Sequence, residues 1–289
     1  MATPIGNLSD MTFRAIDTLK NVDLIAAEDT RQTLKLLNHF EISKPMISYH
    51  RHNEDIKSEC LIEKVLAGKN IAIVTDAGTP GISDPGEEIV KEAIKNNIDI
   101  IPIPGACAFV NSLIVSGIST TEFSFYGFLP LNKKNRKEKL LQIMKEQKTV
   151  ILYEAPHKLL KTLEDILEKI DGAGDVKVMI TYQDSGTQVV EKDKNTSENS
   201  LEESDSTGGV RSTKEQQLQE STVYEEADAG NTPFVSKELL PKVEGILIVA
   251  SGGDNQKVKQ NISEAVLALF QVEAHRIKIV KMSGLEDSK

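Results

Sequence analysis

Three glycines and two prolines fall between Thr75 and Gly86, in the run TDAGTPGISDPG, and no other segment of the chain is as well equipped for ligand chemistry. Glycine opens backbone angles closed to other residues and proline fixes its own, so that a small ligand can come up against the main chain. Two more Gly/Pro turns, Thr3–Leu8 and Ile101–Ala108, carry Pro4, Gly6, Gly105 and Ala106. Gly105 stands where a helix N-terminus could meet a ligand. Groups able to move a proton or hold an anion lie nearby in sequence. Glu28, Asp29 and Arg31 are grouped in EDTRQT, although Asp29 reads as readily as a helix cap. His50 and His52, followed by Glu54, share one side of an extended segment in SYHRHNE. Two such histidines could ligate a metal, but no Cys/His/Asp set at zinc spacing accompanies them, and hydrogen bonding to RNA or proton transfer is favoured. Lys133, Lys134, Arg136, Lys137 and Lys139 form a basic cluster suited to phosphates beside a cleft, or else a solvated helix start. No GxGxxG fingerprint or Walker loop is present, which leaves nicotinamide chemistry and nucleotide hydrolysis poorly supported.

These residues need elements to hold them. The apolar run IAIV (Ile71–Val74) reads as a buried strand feeding the Thr75–Gly86 loop, and EEIVKEAIKN after it reads as an amphipathic helix with an acidic first turn. A strand that feeds such a loop at the carboxyl edge of an α/β sheet is where small ligands bind. VDLIAAED, KPMISY, IDIIPIPG, FSFYGF and TVILYE are further strand candidates, separated by helical patterns, the first of which could be capped by Asp10. This alternation predicts a mostly parallel α/β sheet.

From Ser185 to Thr232 the rhythm stops. The segment holds eleven acidic against four basic residues, a net charge of −7 out of −10 for the chain, and almost no apolar side chains. Such composition buries too little to offset chain entropy and predicts a flexible insert. Beyond it, GILIVA, a helical NQKVKQNISEAVLALF and HRIKIVKM join VKVMITY (Val176–Tyr182) as a second small α/β unit. No apolar run approaches the roughly 18 residues needed to span a bilayer. Cys60 and Cys107 form no disulfide framework, so a cytoplasmic protein without bound metal is expected.

The order and wording of ATPIGNL, EDTR, HRHNE, DAGTPGISDPG, PIPG, GFLP and YEAPHK resemble the tetrapyrrole methylase superfamily, and within it the branch of ribosomal small-subunit RNA methyltransferase I. This resemblance covers residues 1–163. It implies a two-lobed fold with S-adenosylmethionine in the cleft and a cytidine ribose 2′-hydroxyl of small-subunit ribosomal RNA as methyl acceptor. Carried over residue by residue, it makes Pro4, Gly6, Asp76, Ala77, Gly78, Thr79, Ile82, Gly105 and Ala106 the donor-binding candidates. Ala106 departs from the branch, which has proline there. Glu28, Asp29, His52 and Glu54 remain open as the base, and Arg31 and Lys133–Lys139 are the candidates for holding RNA.

After Glu164 the wording changes. DGAGDVKVMITY, ESDSTGG and EGILIVASGGDNQKVKQNISEAVLALF resemble the stage III sporulation protein AG family over residues 160–282. That family implies a ring-forming α/β module of a membrane-associated channel. The two resemblances meet at Leu163–Ile170, and the chain reads as a chimera. The fold expected is therefore α/β throughout: a methylase-like lobe over 1–120, an incomplete second lobe over 121–163, and a small ring-building-type module over 164–184 and 233–283 carrying a disordered acidic insert over 185–232. The expected function is an S-adenosylmethionine-dependent ribose 2′-O-methyltransferase of ribosomal RNA. The alternative is a non-enzymatic ring component of a sporulation channel, and homodimerisation or ring self-assembly through the C-terminal module stays open.

Overall fold

A computed structural model describes residues 1–204, 210–227, 230–270 and 272–283. It divides into two compact units, one made of Met1–Ile5, Ser9–Ser185 and Pro241–Lys289, the other of Gly6–Leu8 and Gly186–Leu240.

The first unit begins with helix α1 (Phe13–Asn21), capped by the Thr12 hydroxyl, which accepts from the Ala15 amide at 3.1 Å. Thr12 rather than the expected Asp10 is thus the cap; Asp10 lies in a short 3-10 turn one step earlier. Strand β1 (Leu24–Ala27) runs parallel to β2 (Met46–Ser48) on one side and β3 (Ile71–Val74) on the other. The connections are α2 (Thr30–His39) and α3 (Glu54–Leu66), and α4 (Glu87–Lys95) follows the glycine-rich loop. Alternation along β1 explains why helices lie on both faces. Ile25 and Ala27 join Ala15, Leu19, Leu37 and Val74 in one buried cluster, while Ala26 joins Tyr49, Leu61, Ile89 and Ala93 in another.

The run IDIIPIPG, read as a strand, is extended but forms none. Its backbone ties are the Ile98 amide to the Ala93 carbonyl, 2.9 Å, at its start and the Ala2 amide to the Ile103 carbonyl, 3.3 Å. Pro102 and Pro104 remove alternate N–H donors, and a ladder needs those donors.

Helix α5 (Ala108–Val115) leads into β4 (Phe123–Phe128), α6 (Lys133–Ile143), β5 (Thr149–Tyr153) and α7 (Leu159–Leu167). Among the described residues β4 and β5 pair in parallel as a sheet of two strands, with no strand on either outer edge. Phe123, Phe128 and Leu131 are exposed, Leu131 by 80%. Parallel strands normally lie buried within larger sheets, whereas this pair leaves Phe123 and Phe128 exposed.

Strand β6 (Val176–Tyr182) pairs antiparallel with β13 (Val243–Ala250), which pairs in parallel with β14 (Ile277–Lys281) through the crossover helix α8 (Gln256–Leu269). The sequence suggests a last strand from His275, but His275 and Arg276 form a 3-10 turn. Val176, Ile246, Ile248, Val258, Ile262 and Val266 make a closed core, to which α7 contributes Leu167. Helix α7 thus serves two neighbours. Glu164, buried, accepts from the Val178 amide of β6 at 3.2 Å, while Asp165 and Thr162 accept from Arg136 of α6 at 2.7 and 2.6 Å.

The second unit holds the acidic insert expected to be flexible, and strands pair within it. It contains three antiparallel two-stranded ladders: β7 (Thr187–Val190) with β12 (Val235–Leu239), β8 (Lys192–Ser204) with β9 (Val210–Thr222), and β10 (Tyr224–Ala227) with β11 (Gly230–Pro233). They meet where Glu191, Phe234 and Val223 bond head to tail, Glu191 N–H to Phe234 carbonyl, Phe234 N–H to Val223 carbonyl, and Val223 N–H to Glu191 carbonyl, all within 2.8–3.0 Å. Backbone pairing of this kind is indifferent to side-chain polarity, which is why a polar composition did not preclude strands. Residues 205–209 and 228–229 of the insert lie outside the described residues. Among the described residues no helix is long and apolar enough to cross a membrane.

Candidate active site

The site is built where β1 and β3 end and three Gly/Pro turns meet. Thr3 and Gly78 exchange backbone hydrogen bonds of 2.9 and 3.0 Å, and the Thr3 hydroxyl reaches the Thr75 carbonyl at 3.1 Å. The Thr79 hydroxyl donates to the Ala106 carbonyl at 3.0 Å. Turns far apart in sequence, Ala2–Ile5, Thr75–Gly81 and Ile103–Ala106, are thereby knitted into one platform. Gly78 is required there. Its φ of +81° is left-handed, and a Cβ would stand 3.3 Å from Ile5 Cγ2 and 3.7 Å from the Ala106 carbonyl oxygen. Gly105 is required for another reason. A Cβ on it would come within 2.8 Å of the Ala2 Cβ, so its role is close packing of two chain segments.

Asp76 and Ala77 are exposed beside this platform, as is Ile82. Pro4 adjoins it in the chain, whereas Gly6 belongs to the second unit, where its carbonyl accepts from the Glu238 amide at 3.1 Å.

The charged residues that follow β1 and β3 interlock. The Asp76 carboxylate accepts from the Asp29 amide at 3.0 Å, and Glu28 accepts from the Asp76 amide at 3.4 Å. Burial pushes the Glu28, Asp76 and Asp84 carboxyls above their usual range, and Glu28 also feels the negative charges of Asp84 and Asp76. Asp29 behaves oppositely. It caps α2 and takes a two-pronged bond from Arg31, Nε at 3.1 Å and Nη2 at 2.7 Å, which brings its carboxyl down to about 2. Asp29 is therefore a cap and an anchor for Arg31, whose side chain stands 87% exposed.

The SYHRHNE segment forms a turn at the end of β2. Asn53 locks it by accepting from the His50 amide at 2.8 Å and donating to the Ser48 carbonyl at 3.4 Å. The His50 and His52 rings lie edge to face, 5.9 Å between centres, and His50 Nδ1 is buried with no partner among the described residues. His52 is exposed, and Glu54 opens α3. The residue that crosses to the glycine-rich loop is Arg51, whose Nη2 donates to the Ser83 carbonyl.

The basic cluster separates. Lys133, Lys134 and Lys137 are exposed. Lys139 lies over the Tyr126 ring at 4.3 Å. Arg136 is drawn inward, with a side chain only 15% exposed and ion-paired to Asp165 at 2.7 Å and Glu154 at 3.8 Å. An arginine so engaged holds α6, β5 and α7 together and presents no free fork to a phosphate.

Two residues escaped the sequence reading, Arg51 and Asp84. Both stood inside quoted motifs, but single charges in turns carry no periodicity, and only the folded loop brings them near Glu28.

Residues 2–192 match the family model of the Tetrapyrrole (Corrin/Porphyrin) Methylases, and residues 153–283 match that of the SpoIIIAG C-terminal domain. A protein of Synechocystis named "Ribosomal RNA small subunit methyltransferase I" is 57% identical over 57% of this chain and 60% of its own length. One of the same name from Bacillus subtilis is 53% identical over 63% of this chain and 61% of its own. The chain thus spans about three fifths of the curated relatives it matches. A solved structure of SpoIIIAG is 31% identical over 45% of this chain and 94% of its own, with a TM-score of 0.28.

Proposed function

The chain belongs to the Tetrapyrrole (Corrin/Porphyrin) Methylases, and from that premise we propose that its N-terminal part binds S-adenosylmethionine and directs methyl transfer to a cytidine ribose 2′-hydroxyl of small-subunit ribosomal RNA. The observation that carries this reading is the joining of the three Gly/Pro turns through the Thr3–Gly78 and Thr79–Ala106 hydrogen bonds. The fit to the donor is supported by exposed Asp76, Ala77 and Ile82 around the Gly78 turn, which its left-handed backbone and close packing against Ile5 and Ala106 hold in one shape. Bound there, the donor supplies a methyl group on positively charged sulfur, open to in-line displacement.

The chain's own residues have three tasks. Asp76, Ala77, Gly78, Thr79, Ile82, Gly105, Ala106 and Pro4 hold the donor. Glu28, with a carboxyl raised by burial, is our candidate to receive the hydroxyl proton, because a base works best when its pKa approaches the working pH. Arg31, Lys133, Lys134 and Lys137 steer the RNA backbone in a cytoplasmic setting.

The open β4–β5 sheet leaves the acceptor side of such a cleft without a wall. Loss of acceptor positioning by about 1 Å can cost on the order of 10²-fold in rate. Methyl incorporation into isolated small ribosomal subunits, measured for this chain and for a version given a complete second lobe, tests the reading. Slow transfer here and a rise of about 10²-fold in the completed version are expected; no transfer by either overturns it. A second reading, self-assembly through the C-terminal module, is favoured by its self-contained β14–β13–β6 sheet. Sedimentation of the full chain, showing species larger than a dimer, would support it.

A further inference from the structure

Arg51 is held out on a turn whose ends are fixed by Asn53, and its guanidinium crosses to the Ser83 carbonyl in the middle of the Thr75–Gly86 loop. That loop spans two left-handed glycines, Gly78 and Gly81, before Gly86 starts α4. Its other ties lie at its two ends. Thr3 holds Gly78, Thr79 holds Ala106, and the Gly81 amide closes on the Pro85 carbonyl at 3.3 Å. The Gly81–Pro85 bond ties the loop only to itself, and among the described residues Arg51 is the side chain that bonds Ile82–Asp84 to another element. Three carboxyls surround the same place, Glu28 from β1 and Asp76 and Asp84 from the loop, and their mutual repulsion favours opening it.

We propose that Arg51 is the positioning residue of this loop: it ties the Ser83 carbonyl and balances the charge of Glu28 and Asp84, and so fixes Asp76–Gly86 in the conformation that receives the donor. The proposal rests on the donor-site reading above for its functional half and on the Arg51–Ser83 bond for its structural half. Arginine suits the task because a guanidinium stays charged at every working pH and offers several N–H groups to neighbouring oxygens. The charged groups facing Glu28 are Asp76, Asp84 and Arg51; those facing Asp84 are Arg51 and Asp76, with the Tyr153 phenol also within its field. Removing Arg51 leaves Glu28 and Asp84 facing only like charge, whereas Asp76 keeps Arg31, so protonation of Glu28 and Asp84 moves to higher pH.

Amide hydrogen exchange of the full chain, compared among wild type, Arg51→Met and Arg51→Lys, tests the structural half. Arg51→Met should speed exchange in residues 81–86 by about tenfold or more, with β6 and β13 unchanged as an internal reference. Arg51→Lys should return most of the protection. Calorimetry with S-adenosylmethionine across pH tests the functional half. Because protonation of the carboxyls relieves the repulsion that Arg51 balances, the affinity deficit of Arg51→Met should be largest at neutral pH and shrink as the solution is acidified, with Arg51→Lys restoring the wild-type profile; a merely structural residue would lower affinity equally at every pH. Unchanged exchange in Arg51→Met overturns the proposal. Faster exchange in a protein whose wild type binds no donor keeps Arg51 as the loop's anchor and rejects the donor site instead.

Discussion

Two sheets of the first unit, β2–β1–β3 and β14–β13–β6, end in glycine-rich turns, and the turns serve opposite purposes. After β3, Gly78 and Gly81 hold the chain open, with exposed Asp76, Ala77 and Ile82 presented outward. After β13, SGGDN brings backbone onto backbone. A Cβ on Gly252 would overlap the Gly172 carbonyl, and one on Gly253 would overlap the Val280 carbonyl. Glycine in a turn announces that something approaches the main chain. In the first region Ile5 and Ala106 pack on Gly78 while Asp76, Ala77, Gly81 and Ile82 around it stay open to a ligand; in the second the protein's own backbone fills the space. The N-terminal sheet also ends in a mixed set of charges, Glu28, Asp29, Arg31, Arg51, Asp76 and Asp84, whereas the C-terminal sheet closes over an apolar cluster.

The largest effect expected from this contrast is at Gly252. Gly252→Ala should unfold the β6–β13–β14 sheet, because a Cβ cannot share space with a carbonyl and overpacking of this kind costs about 3 kcal/mol or more. Hydrogen exchange should show the loss confined to that sheet and to α8, with β1–β3 still protected. Collapse of both regions together would mean that they are one cooperative unit.

Glu164→Ala should have a smaller effect, through the helix the two regions share. It leaves the Val178 amide without its acceptor and removes the partner of Lys177, a loss of roughly 1–3 kcal/mol. The expected readout is faster exchange along β6 while the Arg136–Asp165 pair keeps α6 and α7 docked. If exchange rises equally in β4 and β5, α7 transmits rather than separates.

The smallest effect is a pH dependence at the other end. Glu28 has a folded-state carboxyl raised by burial, so its ionisation opposes folding at neutral pH and the penalty fades as pH falls through the raised value. Glu28→Gln should therefore raise Tm slightly near pH 7.5, by roughly 2–4 °C at most, and leave it unchanged near pH 4. A gain of equal size at both pH values would show that charge is not the cause. In a scaffold of this design the same substitution would remove the candidate base, so stability and methyl transfer should move in opposite directions.

Sequence made the frame legible where periodicity and turn residues agree. IAIV followed by TDAGTPGISDPG appears in the structure as β3 and its loop, EEIVKEAIKN as α4, and VKVMITY as β6 to the residue. It misled where hydrogen-bond donors decide. IDIIPIPG has the hydrophobicity of a strand but lacks the N–H groups at Pro102 and Pro104. For the site, the residues of the three turns could be named in advance, because glycine and proline restrict local geometry. Arg51, Asp84 and the inward turn of Arg136 could not, since each depends on which loops meet in space. A cation three residues from another cation gives no sign that Asp165, Thr162 and Glu154 will draw it inward.

The central claim is that the N-terminal platform is a donor site and the C-terminal glycine turn is not. Calorimetric titration of S-adenosylmethionine into the full chain and into Gly78→Val tests it most directly. A branched side chain at φ +81° meets Ile5 and the Ala106 carbonyl, and the left-handed backbone itself is strained by roughly 1–2 kcal/mol for any L side chain. The wild type should bind one donor per chain, and Gly78→Val should show no binding heat while β6 and β13 keep their exchange protection. Equal binding by the two proteins would contradict the account.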